Sequence, residues 1–331
     1  MQSIGDLAQN FTLRRQSVEL NRQMDRLTRE LSTGRAADLS AHLSGNLVQL
    51  ADIQHALSVQ TAHRDAARGA ATDAALMQLA LERVQDTNTS LASSAILVGT
   101  DASNSAISTL ATEARGALET IVSSLNVTSA GRSLFAGDRV DQTPLNSADL
   151  LLDQLRTALS GATTSADIRQ RLDSFFDAPD GPFATSIYRG GTGDLGAIAL
   201  GSGESVLLSI RADDPVLRAQ IKETSLTALL DDGALAPGLR NELAREAGEN
   251  LLGSQVNMTR LRADLGFAEE RVAQAEGRIS AEISSLGIAR NTLVSVDAFA
   301  TASELEQVQF QLEALYTLTA RASRLSLVNF L

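Results

Sequence analysis

Apolar residues recur at helical spacing along both flanks of the chain, whereas the stretch between them is mixed in pattern. Near the N-terminus Leu13, Leu20, Met24, Leu27 and Leu31 fall on one stripe, the last four at steps of 4, 3 and 4, with Arg, Glu, Asp and Gln between them. Ser32-Thr33-Gly34-Arg35 then places a glycine where a helix C-terminus favours one. The spacing predicts a second helix from near Leu43 through Leu47, Leu50 and Leu57, continuing Ala-rich through Leu76, Leu79, Val84 and Leu91 to about Val98. A third is expected over Ser105 to Asn126, carrying Ile107, Leu110, Leu118, Ile121 and Leu125.

The C-terminal flank is more regular. Leu261, Leu265, Ala268, Val272, Ala275, Ile279, Glu282 and Leu286 follow alternating steps of 4 and 3, a coiled-coil seam with one polar member. Leu305, Val308, Leu312, Leu315, Leu318, Ala322 and Leu325 carry it on after a skipped step, almost to Leu331. All prolines (Pro144, Pro179, Pro182, Pro215 and Pro237) lie between the flanks. Proline removes a donor and clashes with the preceding helical turn, so its absence from the flanks permits long unbroken helices.

The middle is expected to hold short helices at Ser147 to Leu159 and Ser165 to Phe176, and strands at Ser186 to Arg189, Ala197 to Leu200 and Ser205 to Ile210. A further helix follows near Pro215 to Leu230. So few strands do not bury a large core alone, so this segment is expected to pack on the helices or remain mobile. The domain reading is an N-terminal helical region over 1–137, a mixed insertion over 138–237 and a C-terminal helical region over 238–331. The fold class is mainly α with a small mixed α/β central insertion.

An isolated stripe of this kind is marginal in water, because ordering its backbone costs more than its leucines return. The seams need partners, in this chain or in another. Periodicity alone leaves an intramolecular bundle and assembly both open, but chain ends ordinarily fray, and two well-patterned ends favour assembly.

Composition narrows the chemistry. The formal net charge is -12, which argues against a phosphate-backbone binder, whose affinity comes from clustered Lys and Arg. The chain has no cysteine, which removes disulfides, thiolate metal sites and Cys nucleophiles together. No apolar run approaches the roughly 20 residues of a membrane span, and Met1 to Asn10 lack the basic and apolar regions of a cleavable secretory signal. Membrane insertion is therefore not expected.

One motif invites a cofactor. Gly191-Thr192-Gly193-Asp194-Leu195-Gly196 matches G-x-G-x-x-G, but that fingerprint needs its last glycine to open a helix, and Ala197 to Leu200 run straight into Gly201-Ser202-Gly203. A glycine-rich hairpin connection fits better. His42, His55 and His63 lack spacing that converges on one metal and are expected to be solvated. The pairs Asp213-Asp214 and Asp231-Asp232 suit turns and caps. No catalytic residue, cofactor or metal site is assigned, and no enzyme is expected.

Four stretches together resemble the flagellin superfamily, most closely its hook-filament junction members. They are LTRELSTGR at Leu27 to Arg35, GRSLFAGDRVDQTPL at Gly131 to Leu145, VDAFATASELEQVQFQLEAL at Val296 to Leu315, and the ending LSLVNFL at Leu325 to Leu331. After Arg35 the family often has an Asn-Ser and acidic-pair segment where this chain has Ala36-Ala37-Asp38-Leu39-Ser40. The resemblance implies N- and C-terminal helices paired as an antiparallel coiled-coil rod with the central region displayed outward. It implies a structural adaptor at the junction, self-association in a ring or helical lattice, and contacts with a neighbouring hook-associated protein and with flagellin. It also implies an export chaperone and an extracellular location reached by the flagellar type III apparatus. The assembly-interface residues it points to are Leu13, Leu20, Met24, Leu27, Leu31, Leu305, Val308, Leu312, Leu315, Leu318, Leu325, Phe330 and Leu331. A filament flagellin and a secreted coiled-coil effector or signalling protein are the alternatives.

Overall fold

The computed structural model describes residues 4–99, 103–232 and 237–328. Along the chain run helices α1 (Ile4–Thr33), α2 (Leu39–His42), α3 (Val48–Gly99) and α4 (Asn104–Leu125), then strands β1 (Thr128–Ser129) and β2 (Arg132–Ser133). Helices α5 (Ala148–Leu159) and α6 (Ser165–Phe176) follow, then β3 (Ile198–Gly201) and β4 (Glu204–Val206), and finally α7 (Pro215–Ala228), α8 (Pro237–Gly253), α9 (Gln255–Val294) and α10 (Ala298–Val328). The strands form two separate antiparallel pairs, β1 with β2 and β3 with β4. The fold is mainly α with a small mixed insertion, as the periodicity predicts. Two compact units divide it: a terminal unit of Met1–Thr61 with Ser280–Leu331, and a central unit of Ala62–Ile279.

Local chemistry sets the helix boundaries. Ser147 caps α5 by accepting from the Leu150 amide at 3.3 Å, and Thr164 caps α6 by accepting from the Asp167 amide at 3.1 Å. Asp214 accepts from the Val216 amide at 2.8 Å, with Pro215 in the first turn of α7, where a missing N–H costs nothing. These caps lie within a residue or two of the expected starts. The second helix departs further from expectation. Asp38 caps the short α2, and left-handed backbone at Ser44 and Gly45 then breaks the path, so the long helix begins at Val48 rather than Leu43.

The strand expected at Ser205 to Ile210 ends early, at Val206 of β4, and two other expectations fail for identifiable reasons. The predicted strand at Ser186 to Arg189 is a π-helical turn, Phe183–Ile187, that buries Phe183 and Ile187; only Tyr188 makes a strand-like bridge, to Leu145. A short apolar run does not distinguish strand from buried turn. The skipped step in the C-terminal seam marks a real interruption between α9 and α10. Asp297 Oδ1 there accepts from the Phe299 and Ala300 amides at 2.8 and 3.0 Å and starts a new helix.

In the central unit one hydrophobic cluster joins Met77, Leu81, Val84 and Leu91 of α3, residues of α4 to α8, and Met258 and Leu265 of α9. The middle segment therefore packs on the helices, the first of the two outcomes expected for it. Phe175, Phe176 and Phe183 stack at centroid distances of 5.0 and 5.3 Å, and Phe135 is fully buried. Helix α7 is covered on every side from Glu223 to Ala228, and its buried residues include the polar Gln220, Glu223, Thr224, Ser225 and Thr227. Burial of that kind is tolerated only with partners. The hydroxyls of Thr224, Ser225 and Thr227 donate to carbonyls four residues back, and the Arg169 guanidinium meets Glu223 Oε2 at 2.7 Å.

Along the α3 and α9 portions of this unit the pairing is antiparallel and partly polar. Arg68 meets Glu276 at 2.8 Å, and Arg262 donates to Gln85 at 2.8 Å while its carbonyl accepts from Gln78 at 2.8 Å. Leu265, Val272, Ala275 and Ile279 of the predicted seam are buried there. In the terminal unit, the seam's polar member Glu282 accepts from Gln60.

Candidate assembly interface

Within the terminal unit α1 and α10 lie antiparallel. Arg26 pairs with Glu304 at 3.6 Å, and Leu27 packs with Val308 and Leu312 in a cluster that Leu20, Met24 and Leu305 complete. The turns at one end clamp the pair. Gly34, at φ +68, ends α1 with its amide on the Glu30 carbonyl at 2.8 Å, and its own carbonyl accepts from the Val296 amide at 3.2 Å. Ala36 donates in turn to the Val294 carbonyl at 2.9 Å, and the buried Glu30 carboxylate accepts from the Ala37 amide at 2.9 Å. Two of the sequence stretches that carry the family resemblance thus bond to each other through their turns.

The sequence-derived interface residues divide into three sets. Leu20, Met24, Leu27, Leu305, Val308 and Leu312 form the cluster just described, inside a single subunit. Leu315 is buried and Leu13 half-buried, whereas Leu31 and Leu318 are exposed. The side chain of Leu325, and the whole of Phe330 and Leu331, lie outside the described residues. Apart from Leu31 and Leu318, the described part of the seam that sequence periodicity finds most easily is therefore largely satisfied internally, because that seam is the one α1 and α10 share.

What periodicity missed is a set of outward-facing phenylalanines. Among the described residues the buried phenylalanines, Phe135, Phe175, Phe176 and Phe183, all belong to the middle of the chain. The flanking helices instead expose Phe11 (69%), Phe267 (70%), Phe299 (83%) and Phe310 (72%). Large apolar side chains left in water mark an interaction surface where they recur on one face, as Phe299 and Phe310 do on α10. The signal in the sequence was slight, Phe11 with Val18 on α1 and Phe299 with Phe310 on α10, each pair on one helix face offset from the leucine stripe.

The glycine-rich loop at Gly191 to Gly196 takes a structural role in the central unit. The residues after Gly196 enter β3 rather than a helix, so the pyrophosphate-binding geometry of the fingerprint is not built. The turn of the hairpin itself is Ser202-Gly203, both left-handed, so the G-x-G-x-x-G segment leads into the hairpin rather than closing it. The loop folds over Asp138. A Cβ on Gly191 would stand 1.4 Å from the Asp138 carboxylate, the Gly191 amide donates to the Ala136 carbonyl at 2.8 Å, and the Tyr188 hydroxyl donates to the Gly191 carbonyl at 2.8 Å. Arg211 ties the loop down through Asp194 at 2.6 Å and Asp213 at 2.9 Å. The same region anchors the Gly131 to Leu145 stretch, whose Phe135 carbonyl accepts from the Ala212 amide at 2.9 Å.

The other titratable groups are structural. Asp214 is a cap as expected, Asp231 accepts from Ser108 at 2.9 Å, and Asp232 meets Arg156 at 2.5 Å. His42 and His55 are exposed; His63, expected to be solvated, is half-buried with its ring against Gly201. Among the described residues no group of three His, Cys, Asp or Glu is placed to hold a metal ion, and no helix is long and apolar enough to cross a membrane.

Two of these groups give an alkaline signature. Burial disfavours the Lys222 ammonium, but hydrogen bonds to Asp173 and Asp177, and their charges, outweigh this and hold it above its ordinary pKa. Burial, helped by the Asp213 charge, raises the Tyr188 phenol. Both groups have a higher pKa folded than unfolded, so each contribution is intact below its unfolded pKa and is lost as pH rises toward the folded one. Unfolding stability is expected to fall between about pH 10 and pH 12. Chemical denaturation across that range should show Lys222→Met and Tyr188→Phe each reducing the slope by up to one proton.

Residues 251–331 match the family model described as the bacterial flagellin C-terminal helical region. Among solved structures, the fold is similar to that of a protein from Vibrio parahaemolyticus described as a flagellar hook-associated protein, with a TM-score of 0.52 and 14% identity over 74% of this chain and 96% of that one. No curated protein matches the chain. The family match covers the C-terminal segment, and the likeness to the solved structure is one of fold.

Proposed function

We propose that the chain is a structural subunit of the bacterial flagellum that works as an adaptor at the hook-filament junction and assembles through its terminal helices. The observation that carries this reading is the partition of phenylalanine, buried in the middle and exposed on helices of the flanks. A subunit built to be covered by neighbours leaves such residues in water until assembly supplies the cover. The flagellin match over 251–331 and the family-like stretches at both ends support the same role. In this reading the partners are other copies of the chain in a ring or helical lattice, a hook-associated protein on one side, flagellin on the other, and an export chaperone beforehand. The site of action is the extracellular flagellum. No catalytic step is part of the role, which is mechanical.

Deletion of the gene is expected to leave hooks without filaments and to shed unpolymerised flagellin into the medium, read by microscopy and by immunoblot of culture supernatants. The flagellin match equally favours a filament subunit. Absence of flagellin from the medium with export intact would establish that second reading and remove the junction role.

A further inference from the structure

Each long helix of the terminal unit carries a second stripe on the face turned away from the other helix. On α1 it runs Phe11, Arg15, Val18, Arg22, Asp25 and Arg29; on α10 it runs Phe299, Ser303, Glu306, Phe310, Glu313 and Thr317. In both the steps are 4, 3, 4, 3 and 4, and every one of these side chains is exposed. At 3.6 residues per turn Val18 stands about 160° around α1 from Leu20 of the inner seam. The two stripes therefore lie on opposite sides of the helix pair.

The stripes are complementary to each other. That of α1 holds three arginines and one aspartate, and that of α10 holds two glutamates and no cation. Arg15, Arg22, Glu306 and Glu313 form no ion pair among the described residues. Laid antiparallel with Val18 opposite Phe310, the stripes set Arg15 against Glu313 and Arg22 against Glu306 on either side of that apolar centre. The same register puts Asp25 beside Ser303 and Arg29 over the Phe299 ring, a cation–π arrangement. A parallel alignment would face Asp25 with Glu313 and leave Arg22 opposite Phe310.

We propose that α1 of one copy docks, through this stripe, on the α10 stripe of a second copy, antiparallel and in this register. The proposal rests on the assembly role above and names the faces through which it works. One copy then offers α10 to one neighbour and α1 to another, a heterologous contact that continues into a ring or a helix rather than closing as a dimer.

The absence of native cysteine makes the test clean. Full-length Val18→Cys and Phe310→Cys chains, purified separately and oxidised as an equimolar mixture, are expected to give a mixed disulfide dimer, with neither chain dimerising alone. Adding Arg15→Glu and Arg22→Glu to the first chain should lower that yield about tenfold or more. Adding Glu306→Arg and Glu313→Arg to the second should then restore it. No mixed dimer, equal dimerisation of either chain alone, or indifference to charge reversal would overturn the proposal. Loss on reversal without restoration by the swap would also overturn it, because the stripe would then serve a different partner. The flagellar role is judged separately: motility restored in the deletion strain by the Arg15→Glu, Arg22→Glu chain defeats this docking and leaves the role standing, whereas failure of the unaltered chain to restore motility defeats the role itself.

Discussion

Replacing Leu312 by aspartate is expected to separate α10 from α1. Leu312 is buried against Leu27 and Val308, the centre of the cluster that joins the two helices. Removing a buried leucine costs about 2 to 5 kcal/mol, and the carboxylate adds the penalty of a charge with no counter-ion in the cluster. The terminal unit has few other apolar layers to offset such a loss, so the pair opens locally rather than tolerating a cavity. Hydrogen exchange should show loss of protection along α1 and α10, with the amides of α4, α5 and α7 as an internal reference. Leu318→Asp supplies the control. Leu318 is 58% exposed, and an exposed substitution of this kind changes stability by no more than about 0.5 kcal/mol. Equal effects at the two positions would contradict the internal seam.

Arg169→Met in the central unit is the second large effect. Glu223 is buried in α7, and Arg169 from α6 meets both of its carboxylate oxygens, at 2.8 and 2.7 Å, while also reaching Glu246 at 3.2 Å. Asn250 donates to the same carboxylate at 3.2 Å. Removing the guanidinium leaves a buried charge without its partner, which costs about 3 to 5 kcal/mol. The pH dependence follows from the sign. Burial raises the Glu223 pKa even with Arg169 in place, so the folded state favours the protonated acid, and removing Arg169 raises it further. The deficit of the variant is therefore smallest in acid and grows as pH rises above the carboxylate range. Urea titrations at about pH 5 and about pH 8 should separate the two. A deficit independent of pH would show that packing, not the unpaired carboxylate, is what Arg169 supplies. Arg169→Met with Glu223→Leu should recover much of the loss, because two apolar groups of suitable volume replace the pair.

The helical flanks were legible because a 4, 3 repeat of leucine survives any detail of packing. Ser147, Asp214 and Gly34 were legible because caps are local chemistry, settled within four residues. The strand expected at Ser186 to Arg189 failed because Phe183 answers to Phe176 and Tyr188 to Leu145, contacts that lie outside the run itself. The glycine loop misleads for a similar reason. Gly191 and Gly193 are required by the Asp138 carboxylate, a neighbour some fifty residues earlier that no motif contains. The outer stripes of α1 and α10 were written in the sequence too, but a stripe of Phe, Arg and Glu is read as solvated until the leucine stripe beside it is seen to be occupied.

The sequence by itself determined that the flanks are long helices, that the prolines confine irregular structure to the middle, and that seams at both ends need partners. Periodicity conveys this because it records which face of a helix avoids water. Only the tertiary structure decided which partner each face takes, since burial is shared between residues far apart in the chain. Leu20 and Leu27 of α1 pack with Leu305 and Leu312 of α10, and Phe11, Phe299 and Phe310 on the far sides are left exposed.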